Sequence, residues 1–203
     1  MRGSSAAPPL IREALYSASS NLFSESGLNL DQKGIWEDLG DIEFAGEVAV
    51  ENFKKIKTFV KDVLVSNQKL VSLGGDHSVS WPILDAHLDI WDALDILHID
   101  AHPDLYDSLL GNKLSHASPF ARIMETGRAS RLVQVGIRTL NKHQREQAEK
   151  FGVEIYQMKD LTKLSSLSFS KPVYCSIDID ALDPAYAPGA VSYTHLTLPT
   201  IGC

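Results

Sequence analysis

A chain of 203 residues has room for one sizeable hydrophobic core and little more. With 44% hydrophobic and 22% charged residues it has an ordinary globular composition, and no apolar run nears the roughly 20 residues that a transmembrane helix needs. A formal net charge of -7, from 26 acidic against 19 basic side chains, argues against nucleic acid or an anionic membrane as partner, because both recruit basic surfaces.

Met1 to Ser5 is followed by Pro8 and Pro9 rather than by an apolar stretch, so no secretory leader is expected. Leu10 to Ser17 has apolar residues at 10, 11, 14 and 15, a helical spacing opened by the proline pair. Between Phe44 and Val65 the residues Val48, Phe53, Ile56, Val60 and Val63/Leu64 form a longer amphipathic stripe. Glu51, Lys54, Lys55, Lys57 and Lys61 between them read as its solvated face. Leu70 to Leu73 is a short apolar run stopped by Gly74-Gly75, the pattern of a buried strand and its turn.

Strands and helices then alternate. A helix near Pro82 to Leu88 precedes a strand at Asp95 to Ile99, and a helix at Pro119 to Glu125 precedes a strand at Arg131 to Ile137. Asn141 to Phe151 reads as a helix closed by Gly152, with strands at Val153 to Tyr156 and Pro172 to Ile179. Such alternation predicts an α/β fold with a parallel sheet covered on both faces. The last twenty residues, PAYAPGAVSYTHLTLPTIGC, hold no Asp, Glu, Lys or Arg. The expectation is a single domain over 1–190, incomplete on its C-terminal side, with 191–203 an atypical tail in which His195 is assigned no role.

Two cysteines, Cys175 and Cys203, make neither a disulfide framework nor a CxxC metal motif, so a reducing compartment, the cytosol by elimination, is expected. Cys175, inside an apolar run, is expected to be a small core residue.

Three clusters follow strand-like runs, and in open parallel sheets ligands bind beyond the carboxyl ends of the strands. In Leu73-Gly74-Gly75-Asp76-His77-Ser78 the glycines allow a tight turn that leaves His77 projecting, although a histidine there serves structure as readily as ligation. In Ile99-Asp100-Ala101-His102-Pro103-Asp104, residues 100, 102 and 104 alternate and would share one side of an extended chain. Two carboxylates and an imidazole so placed repel or lose hydration unless a cation sits among them. In Ser176-Ile177-Asp178-Ile179-Asp180, aspartates alternate with isoleucines at the end of a strand read as buried, and buried carboxylates need a partner. Asp183 before Pro184 reads as a turn residue, and His98 as a packed, hydrogen-bonded strand residue.

His77, Asp100, His102, Asp104, Asp178 and Asp180 offer two imidazoles, four carboxylates and no thiolate. That hard, oxygen-rich set suits manganese better than structural zinc. It is also too large for one catalytic ion with an open position, and two ions sharing aspartates would acidify water for hydrolysis.

The segments LGGDHSVSWP, ILHIDAHPD and SIDIDALDPAYAPG resemble the three signature motifs of the ureohydrolases, the arginase and agmatinase family, and the resemblance runs from about Ala7 to Gly189. It implies a three-layer α/β/α fold around a mostly parallel sheet, assembled as trimers or hexamers, with two Mn2+ ions that serve hydrolysis of a guanidino group to urea and an amine. By motif, His77 and Asp104 would hold one ion and His102 and Asp180 the other, with Asp100 and Asp178 bridging. Asp104 would also orient the nucleophile. His116, in Leu114-Ser115-His116-Ala117-Ser118-Pro119-Phe120, resembles the family's histidine beside the substrate, which passes a proton to the leaving amine.

The form SHASPFARI is more similar to agmatinases, so agmatine is the expected substrate, with arginine next. The family pattern continues beyond PAYAPG into a glycine-rich segment, further strands and a glutamate that meets the guanidinium. Here AVSYTHLTLPTIGC reads as a foreign extension, the start reads as late, and about a third of the fold is expected to be missing. Two alternatives therefore stand: an inactive fragment of such an enzyme, and a deacetylase-like amide hydrolase using one zinc.

Overall fold

A computed structural model describes residues 3–44, 46 and 49–190; Val48 and the tail 191–203, with His195 and Cys203, lie outside the described residues. Among the described residues, nine regular elements run in the order α1 (Ala7–Leu15), α2 (Ala49–Val65), α3 (Ser80–Leu88), β1 (Asp95–Ile99), α4 (Pro119–Glu125), β2 (Arg131–Ile137), α5 (Lys142–Phe151), β3 (Glu154–Gln157) and β4 (Val173–Ile177). None of the described helices is long and apolar enough to cross a membrane.

The strands form one parallel sheet in the order β3-β2-β1-β4. The parity of the ladder decides what each face meets. Ile96 pairs with Leu132 and with Tyr174, and this face packs against Leu84 and Leu88 of α3, Phe120 and Ile123 of α4 and Ala148 of α5. Fully burying such side chains stabilises by roughly 1.5–3 kcal/mol each. Helix α2 lies one layer further out, its buried stripe Ile56, Val60 and Leu64 seated on Ile83 and Ala86 of α3.

The ends of the elements follow local chemistry. Pro8 and Pro9 open α1, where missing N–H groups cost nothing. Asn141 accepts from the Gln144 N–H at 2.9 Å while the Gln144 side chain reaches back, a capping box at the start of α5. Gly152, at φ 65°, ends that helix in the left-handed conformation that a glycine adopts without strain.

Four expectations are corrected. Leu70 to Leu73 is not a strand: no other segment pairs with it among the described residues, and a strand needs a ladder partner. Val71 is accordingly 86% exposed. Strand β4 is present but not buried, because it is the edge of the sheet among the described residues. The face opposite the helices is covered at β2, where Val133 and Val135 are buried, but open at β4, where Cys175 and Ile177 are exposed. Cys175 is therefore a surface thiol and not a core residue, and the sheet is not covered on both faces along its whole width.

Candidate metal centre

The ladder continues past the strand ends and aligns the acidic segments. Asp100 N–H donates to the Val135 carbonyl, Asp178 N–H to that of Ile99, and Arg138 N–H to that of Ala101, all at 2.9–3.0 Å. Beyond this point the chain leaves the extended form. Asp100 Oδ1 accepts from the His102 N–H at 2.6 Å, and Asp104 has φ 48°. Residues 100, 102 and 104 thus converge through a tight turn and not through strand alternation. Asp178 likewise caps the single turn Ile179–Ala181 by accepting from Asp180 N–H at 3.0 Å. Asp183 is a turn residue, its carboxylate accepting from Ala185 N–H.

His77 starts a short 3-10 turn capped by Asp76. Its Nε2 lies 2.9 Å from Ser176 Oγ, which aims Nδ1 at the carboxylates. Nδ1 is 2.9 Å from Asp104 Oδ2, 3.1 Å from Asp100 Oδ2 and 3.6 Å from Asp178 Oδ2. It is buried and none of these contacts has hydrogen-bond geometry, an arrangement that a shared cation would satisfy. On the other side, His102 Nδ1 lies 3.0 Å from Asp180 Oδ2 and 3.5 Å from Asp100 Oδ1.

Among the described residues, two groups thus have donor atoms close enough for an ion: His77, His98, Asp100 and Asp104, and Asp100, His102 and Asp180. Asp100 belongs to both and presents a different oxygen to each. Asp178 is in neither group, although its Oδ2 borders the first.

Burial controls the charges. It pushes the Asp104 carboxyl up to about 7 against the pull of His77, and raises Asp178 with help from Asp100. It works against ionised Asp100 as well, but His98, His102 and His77 outweigh it and hold that carboxyl far below the usual range. Desolvation opposes protonation of His77 and His102, yet the carboxylates prevail: His77 lies well above the ordinary imidazole value and His102 reaches about 10. Fully buried His98 goes the other way, to about 4.

His116 is half-buried and lines an open cleft of about 360 Å³ with Asp76, Ser78, Asn112 and Ser115. It belongs to neither group of donors, but the cleft touches both sequence neighbours of His77. The structure also brings in residues that the motifs do not single out. Arg138 donates to the carbonyls of Asp180 at 2.5 Å and Ala181 at 3.1 Å. Thr139 Oγ1 donates to the Ala101 carbonyl, and Gln134 contacts His98. Gln134 is visible in the sequence as a lone polar side chain inside the run Leu132-Val133-Gln134-Val135; Arg138 carries no comparable signal.

A model of the Arginase family matches residues 1–194. Among curated proteins the chain is similar to "Arginase 1, mitochondrial" of Oryza sativa subsp. indica, 45% identical over 93% of this chain and 60% of that protein. It is also similar to "Agmatinase" of Bacillus cereus, 36% identical over 75% of this chain and 53% of that protein. Among solved structures, arginase from Medicago truncatula superposes with a TM-score of 0.86 at 44% identity, covering 93% of this chain and 64% of that one. The chain spans about 60% of the length of the curated plant relatives it matches.

Proposed function

The chain belongs to the arginase family, and from that premise we propose that it contributes the metal centre of a hydrolase that cleaves a small guanidino compound to urea and an amine. The observation that carries this reading is Asp100, which turns one oxygen to His77 and the other to His102. His77 and Asp104 would hold one manganese ion, His102 and Asp180 a second, with Asp100 and Asp178 shared. The pair would supply Lewis acidity and acidified water to this oxygen-rich site.

The protein's own groups do the rest. The acidic cluster attracts the guanidinium cation. Asp104 orients the attacking water as a hydrogen-bond acceptor, and His116, in the adjoining cleft, gives a proton to the departing amine. The sequence motif favours agmatine as substrate. The relatives shift the order, since those at 43–45% identity are named arginases and the agmatinase stands at 36%. We therefore place arginine first and agmatine second. Assembly into trimers or hexamers belongs to the same proposal. The rice relative is named mitochondrial, so an organelle joins the cytosol as a compartment to test by fractionation.

The test is urea release by the manganese-loaded chain with arginine, agmatine and a simple acetamide. Urea from arginine above agmatine supports the reading. Acetate release without urea would replace it with the deacetylase alternative, and silence on all three would favour an inactive fragment.

A further inference from the structure

Gln134 stands in the middle of β2 with no exposure, where a polar side chain is costly unless paired. Its Nε2 lies 2.6 Å from the Pro103 carbonyl oxygen and 3.1 Å from His98 Nδ1. A carbonyl can only accept, so the nitrogen end of the amide must face Pro103, and its second hydrogen then points at His98. Had His98 carried a hydrogen on Nδ1, two donors would meet head-on. Nδ1 is therefore the acceptor and the ring keeps its hydrogen on Nε2. That nitrogen lies 2.8 Å from Asp100 Oδ2. Phe120 fixes the plane of the ring, its centroid 3.9 Å from that of His98. The other carboxylate oxygen, Oδ1, is held by the His102 N–H.

We propose that Gln134 and His98 form a positioning relay, in which Gln134 selects the His98 tautomer and His98 Nε2–H donates to Asp100, holding the carboxylate in the one orientation that offers an oxygen to each group of metal donors. His98 is then not a ligand, although its ring lies within reach of His77 and Asp104, because a nitrogen bearing hydrogen has no lone pair to give. The relay involves three buried side chains and one main-chain carbonyl, on β1, β2 and the turn after β1. It rests on the metal reading above only through the role of Asp100.

The test joins two readouts on the 203-residue chain. Nitrogen-15 NMR of histidine-labelled, metal-free protein should show His98 as the Nε2–H tautomer, and Gln134→Met, which keeps the volume but loses the donor, should release that restriction. Manganese titration of the wild type should give two ions. His98→Leu should still bind two, roughly 10–100-fold more weakly, as expected when the support behind a ligand is removed. His98→Gln, whose amide can donate to Asp100, should recover most of the loss. Circular dichroism checks folding, and Gln134→Met carries the affinity comparison if His98→Leu does not fold.

A wild-type Nδ1–H tautomer, unchanged affinity in both variants, or loss of one ion from His98→Leu would each overturn the relay. A wild type that takes up no manganese would overturn the metal reading instead, and the tautomer would then judge the relay by itself.

Discussion

Gly136 faces the carbonyl of Asp100 so closely that a β-carbon on it would lie 3.2 Å from that oxygen. The contact sits in β2 beside the end of β1, where φ of 91° is reached by glycine but strains any other residue. Gly136→Ala would combine backbone strain with a push on the main-chain carbonyl of Asp100, the residue shared by both donor groups. The expected loss is roughly 1–3 kcal/mol of stability. Urea denaturation measures it, and a variant as stable as the parent would mean that the strand relaxes around the methyl group.

A second prediction concerns acid. Asp89 meets Lys57 at 3.1 Å, Lys61 at 3.2 Å and Arg128 at 2.8 Å, tying α2, the end of α3 and the turn after α4 together. Burial works against the charged form, but the three cations prevail and the carboxyl falls to about 2. A depressed carboxyl stabilises the fold fully above its unfolded value, about 3.9, and loses that contribution as pH falls towards 2. Asp89→Asn should therefore lower the denaturation midpoint at neutral pH and flatten its decline between pH 4 and 2. An acid limb identical to the wild type would show that the network adds nothing to stability.

Metal uptake should release protons. Burial opposes a charged His102, yet Asp100 and Asp180 lift it to about 10. An imidazole raised in this way stabilises the metal-free fold fully below its unfolded value, near 6.5, and the gain disappears as pH rises through about 10. An ion needs the neutral ring, so manganese must displace the proton at pH 7.5, and affinity should climb with pH. Calorimetry in buffers of different ionisation enthalpy reads the number released. Binding without proton release would remove His102 from the ligand set.

Much of the fold is legible in the order of the residues, and what escapes has physical causes. The bounds of β1, α4 and β2 match those read from the residues, because a strand between two neighbours is mostly apolar and α4 is bracketed by Pro119 and Gly127. The run Leu70 to Leu73 looks the same in sequence, yet a periodicity cannot say whether another strand lies alongside. The exposure of Cys175 fails to show for the same reason. The donor residues stand out as charges placed after apolar runs. Their convergence depends on the left-handed backbone at Asp104 and on a cap from Asp178, neither of which spacing encodes.

The last prediction separates the two halves of the site. Arg138 closes the turn Ile179–Ala181 by donating to the carbonyls of Asp180 and Ala181, and through them sets the side chain that faces His102. Charged hydrogen bonds of this kind contribute about 1.5–3 kcal/mol. Arg138→Ala frees these carbonyls and loosens Asp180, whereas His77 and Asp104, 2.9 Å apart, stand on the turn before α3 and the turn after β1. The variant should bind one manganese ion as the wild type does and the other more weakly, so a single-phase titration should become biphasic. Equal weakening of both ions would mean that Asp100 transmits the disturbance across the centre, and no weakening would mean that the turn keeps its shape without the arginine.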